Sequence, residues 1–161
     1  MLIVGTAFVI HELAHRWTAR RRGLYASYRM WPMGLFLALL LTVVTTALGS
    51  KFIFAAPGAV YISYPIIIYS IDREILKKVE FEVAASGPLS NLALALIFKA
   101  VSFSGGLLGF IGEWGFQINS FLAFFNLLPF PPLDGSKIMG TNPAMWGLFF
   151  VIAVILTFAP L

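Results

Sequence analysis

The chain contains no cysteine, which excludes a disulfide framework, a thiolate metal site and a thiol nucleophile. Histidine is nearly as scarce: there are two, so a site built on more than one imidazole has only that pair to draw on. Charge is thin as well. Asp, Glu, Lys and Arg make up 11% of the residues, against about 25% in ordinary soluble domains. So few charged side chains cannot cover a water-facing surface around a chain that is 60% hydrophobic, and the composition points to an integral membrane protein.

The formal net charge of +4 owes much to Arg16, Arg20, Arg21, Arg22 and Arg29. These residues flank an apolar segment, where cytoplasmic juxtamembrane charge belongs. No recognition fold or aromatic-interleaved basic array accompanies them, so the expected partner is the lipid bilayer and not nucleic acid. The first residues are apolar, with no basic region before them and no A-x-A pattern after them. Residues 1–20 are accordingly expected as a membrane segment and not as a removed signal peptide.

Further apolar runs follow. Residues 33–49 predict a second membrane helix, with Pro32 near its start and Gly49 at its end. Residues 51–70 are apolar too, but rich in β-branched and aromatic residues and broken by Pro57-Gly58 and Pro65. That pattern favours extended chain: a small membrane-associated hairpin or re-entrant element, which must satisfy its backbone against protein or a wet cavity. The charged stretch 71–83 is expected at the interface, followed by membrane helices over 84–103 and 107–128. A Pro/Gly-broken segment then spans 129–144, and a last apolar run covers 145–159. The expected fold is an all-α polytopic membrane protein of about five membrane segments with one small extended element. No repeat or flexible linker divides it, so residues 1–161 form one domain.

The two histidines stand at i and i+4, as His11 and His15 in "HELAH", with Glu12 between them. On a helix both imidazoles share a face. This is the H-E-x-x-H pattern, in which two histidines bind zinc and the glutamate serves as general base. Ionisable side chains within an apolar helix are costly and by default mark function. A catalytic zinc site normally takes three protein ligands and keeps one position open. With no further histidine or cysteine, the third ligand must be a carboxylate or water. Asp134, in the broken backbone of "PPLDGSK", stands out. If the arginines after His15 lie on the cytoplasmic side, and the helix over 84–103 starts there, the next helix returns inward and brings Asp134 to the depth of the histidines. Residues 33–70 must then begin and end on one side.

The three stretches "HELAH", "SGPLSN" (86–91) and "NLLPFPPLDG" (126–135) resemble, in that order, the signatures of the site-two protease family of intramembrane zinc metalloproteases. The similarity runs from the first segment to Gly135. It implies one catalytic Zn²⁺ on His11, His15 and Asp134, with Glu12 activating water. It also implies that Asn126 steadies the polarised carbonyl, and that Asn91, at the start of the helix after the β region, contacts substrate or shapes the site. The implied activity is that of a zinc-dependent endopeptidase cutting membrane proteins or membrane peptides within or near the bilayer. The implied place is the cell membrane, multi-pass, with the active site towards the cytoplasm. The alternative is a non-proteolytic zinc-binding scaffold or sensor on the same fold, against which the retained Glu12 argues. Nothing in the sequence fixes an oligomeric state.

Overall fold

The computed structural model describes residues 2–30, 58–63 and 72–159. Helix α1 (Leu2–Arg21) leads into strand β1 (Tyr25–Met30), which pairs antiparallel with β2 (Gly58–Ser63) in a register that sets Tyr25 opposite Ser63 and Met30 opposite Gly58. Four helices follow: α2 (Arg73–Ser102), α3 (Gly106–Asn126), the short α4 (Asp134–Thr141) and α5 (Pro143–Phe158).

Helix α1 ends where its sequence provides a left-handed residue. Gly23 adopts φ +72°, its N–H bonds Arg20 O at 3.0 Å, and the N–H of Leu24 bonds Ala19 O at 2.9 Å. This pair of bonds is the Schellman arrangement, and Leu24 completes it by packing with Ala19 and with Val83 of α2. The chain is thereby turned from α1 into β1. Helix α2 begins at Asp72, whose carboxylate caps the N–H of Glu74 at 3.1 Å. It then runs unbroken for 30 residues, through Pro88. Its buried residues, among them Val83, Gly87, Asn91 and Ala95, recur at four-residue spacing and so make a single wall. Against this wall lie α1, α3 and α4. At the far end, Gly112 and Gly115 let α3 close onto the Ser102 backbone and the Phe98 ring. The main core lies between α2, α3, α4 and α5, around Leu92, Ala123, Leu127, Ile138, Phe149 and Ala153. There Trp146 Nε1 donates to Leu127 O at 2.8 Å and pins α5 to the turn after α3.

The expected architecture of about five membrane segments needs correction. Among the described residues one helix, α2, is both long and apolar enough to cross a membrane. The apolar α5 has 16 residues, about 24 Å of helix and short of a typical 30 Å hydrocarbon core. Helices α1 and α3 have the length, but each is diluted by polar side chains: His11, Glu12, His15 and Arg16 in the first, Glu113, Gln117 and Asn119 in the second. Nor does the strand within residues 51–70 fold back as a hairpin of its own: β2 pairs with β1 from well upstream. From Arg73 on, the charged stretch forms the first turns of α2, with Lys77–Glu74 at 3.2 Å along one exposed face. The expected helix over 33–49, and the parts of the extended element at 51–57 and 64–70, lie outside the described residues.

Since a Cβ at Gly23 would meet no neighbour, the substitution Gly23→Ala isolates the conformational cost of left-handed backbone. It should destabilise the protein by about 1–2 kcal/mol, read as a lower midpoint of thermal unfolding in detergent, with zinc content unchanged. An unaltered midpoint would mean that this cap does not hold the α1–β1 corner.

Candidate metal centre

One turn apart on α1, His11 and His15 turn their rings into the wall of α2, 3% and 6% exposed. Their centroids lie 4.7 Å apart at an interplanar angle of 81°. Asp134 reaches them as the first residue of α4 and is itself buried. Its position depends on the next residue: a Cβ at Gly135 would overlap the carbonyls of Leu127 and Leu128. Only glycine there lets α4 back tightly enough onto the preceding turn to aim the carboxylate at α1.

Three atoms converge. His11 Nε2 and His15 Nε2 are 3.1 Å apart, and Asp134 Oδ2 lies 3.2 Å from the first and 3.0 Å from the second. The opposite side of each ring fixes what these atoms are. His15 Nδ1 is 2.7 Å from the carbonyl of Val83, which can only accept, so Nδ1 carries the proton. The same carbonyl also accepts from Ser86 Oγ at 2.7 Å. His11 Nδ1 lies 2.6 Å from Asn91 Oδ1 and likewise donates. In the neutral imidazoles, both Nε2 atoms therefore present lone pairs, and they face a carboxylate oxygen that presents another.

Three lone-pair donors at this range repel one another unless a cation stands among them. One proton can bridge a single pair; a divalent ion satisfies all three. The spacing fits zinc: tetrahedral bonds of about 2.0–2.1 Å separate ligand atoms by about 3.3 Å. Space for the ion comes from Gly87. A Cβ at that position would lie within 2.6 Å of His11 Nε2 and closer still to His15 Nε2, so any side chain would fill the mouth of the triangle. Asp134 is also in the protonation state a ligand needs. Burial opposes its ionisation, but positive charge beside it, carried by the imidazoles when protonated and by a bound cation when both Nε2 atoms are lone pairs, outweighs this and holds its carboxyl well below the usual carboxylate range. Its other oxygen, Oδ1, stands 3.8 Å from Lys137 Nζ.

The remaining sequence-predicted residues are placed as follows. Glu12 follows His11 on α1, half-buried. Asn91 lies in the middle of α2 and not at a helix start. It is fully buried and serves as the hydrogen-bond acceptor of His11. Asn126 is the last residue of α3, part-buried, with Nδ2 donating to Leu122 O at 2.9 Å. Sequence reasoning missed two residues. Gly87 has no side chain to draw notice, although it lies beside Pro88 in the same motif as Asn91. Asn119, fully buried against Asn91, was signalled only by being an amide inside an apolar helix.

Neither a family model nor a solved structure matches the chain. Individual proteins do. The chain is 42% identical over 151 residues to a candidate zinc metalloprotease of Methanocaldococcus jannaschii, an alignment covering 92% of the chain and 72% of that protein. It is 32% identical over 160 residues to a candidate zinc metalloprotease of Bacillus subtilis, covering 83% of the chain and 64% of the relative. A longer candidate zinc metalloprotease of Mycobacterium tuberculosis is 27% identical over 140 residues, where 83% of the chain spans 28% of the relative.

If the space at Gly87 is what admits the ion, Gly87→Ala should weaken zinc binding by at least about tenfold, in the range seen when groups around a metal are disturbed, with helix content retained. His11→Ala and Asp134→Ala should lose zinc outright. Metal content and chelator competition on purified protein check this; a Gly87→Ala protein that binds zinc like the parent would show that the triangle opens elsewhere.

Proposed function

Because the chain belongs to the site-two protease family of intramembrane zinc metalloproteases and is a zinc-dependent endopeptidase, we propose that His11, His15 and Asp134 are its metal ligands and that Glu12 is its general base. The observation that carries this reading is the triangle of lone pairs, 3.0–3.2 Å on each side, with both Nδ1 protons already committed. A zinc ion held there by His11, His15 and Asp134 would supply a Lewis acid for the scissile carbonyl and make water a stronger acid. Glu12, on the same helix and one residue past the first ligand, takes the proton of the attacking water on a carboxylate oxygen and returns it to the leaving amine nitrogen. Asn126 acts on the carbonyl side. One of its amide hydrogens is held by Leu122 O; the second is available to the substrate's carbonyl oxygen as negative charge develops.

The substrates in this reading are membrane proteins or membrane peptides, cut within or near the bilayer. The apolarity and length of α2 support it. So does the run of Arg16, Arg20, Arg21 and Arg22 at the C-terminal end of α1, charge of the kind that flanks membrane segments on the cytoplasmic side; in this reading the metal centre faces the cytoplasm. A water path must enter from that side, because the ligands are buried and hydrolysis consumes water.

Glu12→Gln separates catalysis from binding, since it preserves shape while removing the base. Cleavage of a membrane-embedded peptide by the purified variant should fall by about 10²–10⁴ at unchanged zinc content. Undiminished cleavage would remove Glu12 from the mechanism, whereas loss of zinc would make it a structural residue.

A further inference from the structure

We infer that Asn119 is a positioning residue of the metal centre: acting through Asn91, it holds His11 in the one orientation that leaves Nε2 free to bind metal. This rests on the assignment of His11 as a ligand, and goes beyond it to a residue on a different helix that touches neither metal nor substrate.

The inference follows from which groups can only accept. The Gly115 carbonyl stands 2.8 Å from one side-chain atom of Asn119, so that atom must be the amide nitrogen, Nδ2. Its partner, Oδ1, then points at Asn91, 2.9 Å from the Asn91 nitrogen. The other hydrogen of that nitrogen goes to the Ala7 carbonyl at 3.3 Å. Both amide hydrogens of Asn91 are thus taken by oxygens that cannot donate, and a flipped amide would press its own oxygen against two acceptors. Asn91 Oδ1 is left with one direction, towards His11 Nδ1 at 2.6 Å. A proton is required there, and the lone pair is required at Nε2.

Two backbone carbonyls, of Gly115 and Ala7, anchor this chain, and neither can be reversed. The link through Asn119 is the shorter of the two that hold the Asn91 nitrogen. Both asparagines are 0% exposed, so water cannot replace a lost partner. His15 needs no such device, because the Val83 carbonyl fixes its Nδ1 directly. His11 has its amide acceptor on α2, and that amide is oriented in turn from α3. Three helices thereby agree on the position of one proton, and metal-bound histidines depend on such outer partners for affinity.

Four variants of the full chain in detergent test the idea, with zinc affinity measured by chelator competition and helix content by circular dichroism. Asn119→Leu fills the volume and Asn119→Ala empties it, so the two disturb packing in opposite senses while both remove the acceptor. Each should weaken zinc binding by about 10–100-fold. Asn119→Asp, protonated at so buried a site, keeps a donor for Gly115 O and an acceptor for Asn91, and should bind zinc within about threefold of the parent, a small part of that range. Ser120→Ala is the control, since Ser120 is equally buried but among the described residues bonds Phe116 O within its own helix and no group of the His11 chain; it too should stay near the parent. In the zinc-loaded parent labelled with ¹⁵N-histidine, the His11 Nδ1–H should give a slowly exchanging proton signal. That signal should be lost to exchange in Asn119→Leu or Asn119→Ala, whichever folds, and kept in Ser120→Ala. Parent-like zinc affinity in both Leu and Ala variants, an Asp variant as weak as they are, an equal loss in Ser120→Ala, or a rapidly exchanging Nδ1–H in the parent would each overturn the inference. A parent that binds no zinc, or a His11→Ala protein that keeps it, would instead overturn the ligand assignment itself.

Discussion

Two imidazole nitrogens and one carboxylate oxygen, each with a lone pair turned to the same point, form an arrangement that no apolar protein would assemble for packing alone. Without a cation the triangle is repulsive. With one, it ties the first residue of α4 to two residues of α1 that lie more than a hundred positions earlier. Much of the fold can be read as what this convergence requires. Gly135 lets α4 back onto the Leu127 carbonyl, and Gly87 leaves the mouth of the triangle open. The Trp146 hydrogen bond and the Leu127–Ile138–Phe149 core hold the intervening turn in place.

Helix α2 is the common wall. Val83, Gly87 and Asn91 follow one another at intervals of four residues, so a single face presents a carbonyl for His15, an empty place for the ion and an amide for His11. The order is antiparallel to α1: Ala19 packs near Val83, His15 bonds Val83, His11 bonds Asn91, and Ala7 accepts from Asn91. Each residue of the "SGPLSN" stretch that the site uses therefore meets a defined level of α1. Polar residues in this otherwise apolar protein have consequently been given partners. Among the described residues, Thr157 Oγ1 is the one buried side-chain atom that lacks one, and it lies far along α5 in sequence from the site.

The sequence makes the chemistry more legible than the architecture. A helical repeat forces His11 and His15 onto one face whatever surrounds them, and a chain without cysteine or a third histidine leaves few candidates to complete a site. Asp134 was identifiable because its neighbours break the helix around it. The long-range pairings were not readable in that way. Residues 25–30 carry no strong alternation, so their pairing with 58–63 is decided by where α1 ends and not by local preference. Charges at 71–83 do not announce a helix, yet from Arg73 on α2 carries them on its outer face while Val83 and Ala84 on the other face are buried. A Gly-Pro pair inside a helix favours a break, but α2 continues through Gly87-Pro88 with neighbouring helices packed against its flanking turns. Asn119 gives no signal through spacing. Its significance exists only once α3 lies on α2.

The helix count has a related explanation. The residues that keep α1 and α3 from reading as simple membrane-crossing helices include those around the three-ligand cluster: His11 and His15 in one, Asn119 in the other. Hydropathy measures how well a helix tolerates hydrocarbon along its whole surface, whereas these side chains face inward. His11 and His15 are buried against α2, and Asn119 spends both polar ends on Gly115 and Asn91. What such a helix presents outward is different: Val9, Ile10, Leu13 and Trp17 on α1, Phe110 and Trp114 on α3 are exposed. An apolar exterior around a satisfied polar interior is the inverse of a soluble domain, and it suits a surrounding of lipid. The polar interior also sets a limit on drift in these helices. Turning α1 by one residue would carry His11 and His15 off the wall of α2 and leave Asn91 Oδ1 buried without the proton it accepts from His11, at about 1–3 kcal/mol for a buried group left unpaired. The metal centre and its amide partners thus fix the rotation of α1 more sharply than apolar packing could.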